Sequence, residues 1–153
     1  MGLEFLHAFL RRHRRIALDT CVFIYQLEAN PRYFPFTDHV FSWLARPGAK
    51  GIASTITMTE VLVAPYRAGA VERVDELYAL LSTYPNLEWI TPSLEVADIA
   101  ARLRAVHRWK TPDALLAATA VHGGATGFLT NDRAFERMES VEVLVLDQLL
   151  WTG

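Results

Sequence analysis

Short apolar runs alternate along the chain with longer stretches whose apolar residues return every three or four positions. The runs Arg15–Leu18, Gly51–Ser54, Leu87–Thr91, Gly127–Thr130 and Val141–Leu146 predict strands. Helical spacing predicts Asp38–Ala45, closed by Pro47-Gly48, and Thr57 to about Ala68, ending before Gly69. Ala70–Tyr84 places Val71, Val74, Leu77, Leu81 and Tyr84 on one helical face, and Ser93–Arg108 does the same with Val96, Ile99, Ala100, Leu103 and Val106. Pro112–His122 runs into Gly123-Gly124, a pair that stops helices. The opening residues read as a short amphipathic helix ending in Arg11-Arg12-His13-Arg14-Arg15. Strands alternating with helices predict an α/β fold, a three-layer α/β/α sandwich around a mostly parallel central sheet.

The length of 153 residues fits one domain over 1–153, with residues 1–14 as an N-terminal helical extension. The single cysteine, Cys21, has no internal disulfide partner, so a reducing, cytoplasmic setting is expected. No apolar run reaches the roughly 20 residues that span a bilayer, so no membrane partner is expected. The first apolar stretch precedes its positive charges, the reverse of a secretory signal. There is no internal repeat or low-complexity tract. With a formal net charge of −2, any polyanionic partner has to be met by local basic patches.

In a parallel α/β sheet, ligands gather where strands exit. Four acids fall at such exits or at helix starts: Asp19, Glu60, Asp113 and Asp132. Each has a structural alternative. Thr57 and Glu60 have the spacing of a capping box. Thr111 and Pro112 could cap and begin a helix whose dipole favours Asp113. Asp132 suits a turn or an N-cap. Asp19 fits capping least well, because it stands between Ile16-Ala17-Leu18 and Val22-Phe23-Ile24, where burial of an unpaired charge costs several kcal/mol. Capping accounts for each acid separately, but it does not require all four at one sheet edge. Clustered carboxylates repel, by about 4 kcal/mol for two charges 4 Å apart at an effective dielectric of 20. Such a cluster persists by holding protons or cations. An all-carboxylate set suits Mg²⁺ or Mn²⁺ and, with it, phosphodiester hydrolysis.

The segments "LDTCVFIY", "ITMTEVL", "TPDALLAATAVHGG" and "FLTNDRAF" resemble, in order and spacing, the PIN-domain family of metal-dependent ribonucleases. The likeness runs from about Arg15 to Leu146, and bacterial members are often VapC-type toxins. The resemblance implies Asp19 as central metal ligand, Glu60 as second acid, and Asp113 and Asp132 completing the set. It implies Thr20, Thr130 and Asn131 as supporting groups, Mg²⁺ (or Mn²⁺) as cofactor, and RNA as substrate. It also implies a homodimer silenced by a small antitoxin, with Tyr66, Tyr78 and Leu81 on the helices that would form the partner surface. Two departures stand out: about fourteen residues precede the first strand, and the position before Phe135, often acidic in the family, is Ala134.

Two basic patches are candidates for RNA contact. Arg11–Arg15 is the first, with a solvated helix end as its alternative. Arg102, Arg104, Arg108 and Lys110 form the second; Arg104, Arg108 and Lys110 lead directly to Asp113. The histidines lack metal-ligand spacing, and Cys21 lacks a histidine partner for nucleophilic chemistry. Haloacid-dehalogenase-type phosphatases need Asp-x-Asp where this chain has Asp19-Thr20-Cys21, and receiver domains need a lysine that "FLTND" does not supply. A non-catalytic PIN-like module that binds RNA or protein is the remaining alternative.

Overall fold

A computed structural model describes residues 2–151; residue 1 and residues 152–153 of the expected domain lie outside the described residues. The elements in chain order are α1 (Gly2–Arg12), β1 (Arg15–Leu18), α2 (Thr20–Leu27), α3 (Phe34–Leu44), β2 (Lys50–Ser54) and α4 (Thr55–Arg67). They continue with α5 (Val71–Ser82), β3 (Leu87–Ile90), α6 (Leu94–His107), α7 (Thr111–His122), β4 (Gly127–Thr130) and β5 (Glu142–Val145). Short 3-10 turns at Arg133–Arg137 and Leu146–Leu150 follow β4 and β5. The strands form one sheet in the order β3-β2-β1-β4-β5, and every neighbouring pair is parallel.

Period-2 alternation sends successive strand residues into two different cores. Ile16, Leu18 and Leu129 face a core built with α1 to α5. Ala17, Ile52 and Phe128 face a second core with α6 and α7. The second core is lined by the alanines of α7, Ala114, Ala117, Ala118 and Ala120, all fully buried. Small side chains let this helix lie close to the sheet. Gly123 marks the same closeness, since a Cβ there would stand 2.8 Å from Ile90 Cδ1. Gly124, with φ +70°, then turns the chain out of α7 in a left-handed conformation.

Several element boundaries differ from expectation for local reasons. α3 begins at Phe34 rather than Asp38, because Pro35 is accommodated in its first turn. α4 begins at Thr55, because the Ser54 hydroxyl accepts the Ile56 N–H and caps it. Thr57 is therefore inside the helix and fully buried, so the capping-box expectation for Thr57 and Glu60 does not hold. α7 starts one residue earlier than expected, with Lys110 in the N-cap position and no side-chain cap.

From β1 the chain steps outward to β2 and β3, then returns to the other side of β1 for β4 and β5. The direction of winding thus reverses between β1 and β4, where crossover helices leave to opposite faces. Ligand-binding crevices open at such points, outside the carboxyl ends of the strands.

Candidate active site at the strand exits

Asp19 is the first residue beyond β1 and the N-cap of α2. Its backbone N–H still bonds to Leu129 O at 2.9 Å, so the β1–β4 ladder fixes where the side chain starts. The carboxylate is only 8% exposed. Oδ1 accepts the Thr20 N–H at 2.8 Å, and Oδ2 accepts the Thr130 hydroxyl at 2.7 Å. Burial raises this carboxyl to about 6; the Thr130 and Thr20 bonds oppose the rise, and the charges of Glu60 and Asp113 add to it.

Glu60 lies on α4 and is reached through a hydroxyl chain. Thr20 Oγ1 donates to Glu60 Oε1 at 2.9 Å and stands 2.9 Å from Thr57 Oγ1, which is left to donate to it. Asp113 is in the first turn of α7, half-buried. Burial and the charge of Asp132 raise its pKa, while Lys110 lowers it. Asp132 follows β4 and caps the 3-10 turn, its Oδ1 accepting the Ala134 N–H at 2.9 Å. Its own N–H donates to Thr130 Oγ1 at 2.9 Å. One threonine hydroxyl therefore joins the exits of β1 and β4.

Across the switch point of the sheet, Asp19 feels the charges of Glu60 and Asp113, and Asp113 feels that of Asp132. The four acids do not meet at a single point: among the described residues, no three His, Cys, Asp or Glu side chains are gathered closely enough to hold an ion. The donor set is nonetheless all carboxylate oxygen, which is the chemistry of a hard divalent ion.

Asn131 has a structural task that the sequence did not reveal. Its Nδ2 donates to the Tyr25 hydroxyl at 3.1 Å, and its Oδ1 accepts the Asp147 N–H at 2.9 Å. Tyr33 donates to Asp147 Oδ1 at 2.5 Å and stacks on Tyr25 with ring centroids 4.3 Å apart. Tyr25, Tyr33 and Asp147 thus brace the loop that carries Asp132. More than 100 positions separate Asn131 from Tyr25, so no local pattern announces the contact.

The other candidates divide. Lys110 acts on Asp113 through its charge, whereas Arg104 Nε is bound to the Trp109 carbonyl at 2.9 Å and Arg102 pairs with Asp98. Arg108 is the left-handed C-cap of α6. The first basic patch lies where the strands begin, away from the acids: Arg12 and His13 hold Glu142, and Arg15 binds Glu88 and the Gly123 carbonyl. Cys21 is mostly buried, and burial pushes its thiol pKa up, so it remains a neutral packing residue. Of the expected partner-surface residues, Tyr66 and Tyr78 are exposed at 64% and 55%, but Leu81 is a core residue at 2%. The two tyrosines line an open groove of about 700 Å³ with Met58, Leu62, Val63 and Trp89.

A five-stranded parallel sheet with acids at its switch point makes this an α/β protein with its candidate site at the strand exits. The PIN-domain profile matches residues 16–141, and the chain belongs to that family. Solved structures agree on the fold. A toxin–antitoxin complex from Klebsiella pneumoniae matches with TM-score 0.67 at 21% identity, covering 86% of this chain and 97% of that one. VapBC2 from Rickettsia felis, bound to a DNA fragment from its promoter, gives 0.68 at 20% identity, covering 86% and 98%. FitAcB from Neisseria gonorrhoeae gives 0.64 at 20% identity, covering 90% and 99%. No curated protein matches the chain in sequence. No helix among the described residues is long and apolar enough to cross a membrane.

Proposed function

We propose that the chain is a metal-dependent endoribonuclease that hydrolyses RNA phosphodiester bonds, as the toxin of a toxin–antitoxin pair. The observation that carries this reading is Asp19. It is a buried carboxylate at the switch point, raised to about 6 by desolvation and by two further acids. A site that holds like charges together at this cost is suited to a cation.

Asp19, Glu60, Asp113 and Asp132 would hold Mg²⁺ or Mn²⁺, and a bound ion would supply activation of a water and stabilisation of the leaving oxygen. The chain's own residues prepare for this. Thr130 and the Thr20 N–H fix both oxygens of Asp19. Thr20 orients Glu60, and Asn131 with its tyrosine–aspartate brace steadies the Asp132 loop. The Asp113 carboxylate has no hydrogen-bond partner among the described residues, which leaves it available to a proton or an ion. Lys110, beside Asp113, is the basic residue best placed to meet a substrate phosphate.

The apolar groove at Tyr66 and Tyr78 supports a protein partner, either a small antitoxin or a second copy in a homodimer. α4 carries both the groove and Glu60, so a partner seated there would lie next to the acids. A cytoplasmic location follows from the same reading.

Metal-dependent cleavage of a pool of structured RNAs, wild type against Asp19→Ala, tests the proposal. Cleavage that needs Mg²⁺ or Mn²⁺ and disappears in the variant is expected. RNA binding with no cleavage under any divalent ion would leave a non-catalytic binding module.

A further inference from the structure

A second polar site lies far from the acids. α1 and α3 both run toward the edge where the strands begin, since each leads through a short connection into β1 or β2. Between their C-terminal halves is a cavity of about 220 Å³ lined by His7, Leu10, Arg11, His39, Trp43 and Arg46. No carboxylate lines it. His7 Nε2 and His39 Nδ1 stand 3.1 Å apart, with the rings edge to face at 4.8 Å. Each ring therefore uses one nitrogen on the other and keeps its second one free. Arg11 and Arg46 are exposed, and neither guanidinium has a side-chain partner among the described residues. Their neighbours in sequence differ: Arg12 is engaged by Glu142, and Arg15 by Glu88 and Gly123.

We infer that this cavity is a phosphate site for one nucleotide of a single-stranded nucleic acid, distinct from the acid cluster. Two free guanidiniums and the one N–H that the histidine pair leaves unused supply donors for phosphate oxygens without an opposing carboxylate. Trp43 is half-buried in the wall, so its ring is held in place with one part open to the cavity. A fixed aromatic beside paired arginines matches a base stacked next to its phosphate. An acidic peptide would use the charges but leave the indole without a role. The site lies on the N-terminal extension and α3, so its occupation does not depend on a metal at the acids.

The test is binding of a short fluorescein-labelled single-stranded RNA in EDTA, with the full chain, for wild type, Arg11→Gln, Arg46→Gln and Trp43→Leu. Each arginine variant is expected to bind about 5-fold more weakly and to flatten the dependence of log K on log salt by about 0.7. Arg108→Gln, near the acids, serves as the control for RNA held at the other site. Melting curves of all variants check folding, and both arginines are exposed enough to be replaced without loss of packing. Free adenosine monophosphate and inorganic phosphate, titrated as competitors, distinguish a strand from a free nucleotide. Displacement of the RNA by either at micromolar concentration reassigns the pocket to the free compound.

Unchanged affinity and salt slope in Arg11→Gln and Arg46→Gln would overturn the inference. Polyglutamate binding as tightly as the RNA would overturn it as well. Because the measurement is made in EDTA, a failure of RNA cleavage elsewhere leaves this result intact, and the reverse also holds.

Discussion

Thr130 Oγ1 donates to Asp19 Oδ2 at 2.7 Å while accepting the Asp132 N–H at 2.9 Å. A single hydroxyl, fully buried, thereby locks two acids that are 113 positions apart in sequence onto neighbouring strands. Replacing it with valine keeps the shape but removes both bonds. Thr130→Val is expected to lose about 1–3 kcal/mol of stability in urea unfolding, with Thr130→Ser close to wild type. The Asp19 pKa should rise further in the valine variant, because that bond now holds it down.

Asp19 makes stability depend on pH in a definite direction. Its folded pKa of about 6 lies above the ordinary value of about 3.9. The folded state therefore binds the proton more tightly, and stability is greatest while the group is protonated in both states. It is lost as pH rises from about 4 through about 6. Relative to Asp19→Asn, the wild type should lose about 3 kcal/mol across that window. Denaturation midpoints for both proteins at several pH values check the difference, and parallel curves would contradict it.

Asp113 separates a structural acid from a functional one. Burial and the charge of Asp132 both oppose its ionised form. Asp113→Asn should leave the metal-free protein at least as stable as wild type while abolishing RNA cleavage. Mg²⁺ or Mn²⁺ at about tenfold its Kd should stabilise the wild type by about 1.4 kcal/mol, or about 3–5 °C in Tm. The variant should show a much smaller shift in the same thermal scan. A clear loss of metal-free stability in Asp113→Asn would restore the helix-dipole explanation of this residue.

Glu142 is a clamp at the opposite edge of the sheet. Arg12 and His13 hold its carboxyl down at about 2. A depressed pKa contributes stability that is present above about 4.3 and is lost as pH falls toward 2. The side chain is 43% exposed, so solvent screening reduces the effect to about 1 kcal/mol. Glu142→Gln should show that loss at neutral pH and converge with wild type near pH 2, with RNA cleavage unchanged.

The strands and most helices were legible because their signals are local. The short apolar runs "RIAL" and "GFLT" reproduce β1 and β4 at their observed limits. Three-residue spacing finds α5 and α6 to within two residues at either end. Helix starts were less legible where several hydroxyls compete. Ser54, Thr55 and Thr57 can each cap, and the choice of Ser54 depends on where β2 ends in the sheet. The 3-10 turns after β4 and β5 have no period long enough to read.

Sequence alone determined that Asp19, Asp113 and Asp132 would lie where strands exit or helices begin, because strand and helix limits are set by residues close in the chain; Glu60, expected near a helix start, falls in the second turn of α4. It also determined that Asp19 would be costly to bury, since its apolar neighbours are contiguous with it. Tertiary structure decided which exits are adjacent. Placing β4 beside β1 brings Thr130 onto Asp19 and makes their edge the switch point of the sheet. It also decided that Leu81 belongs to the core, that Asn131 is held by Tyr25 and Asp147, and that Arg11 and Arg46 share a cavity with two histidines. These pairings depend on strand order and helix packing, which bring together residues whose separation along the chain carries no local periodicity.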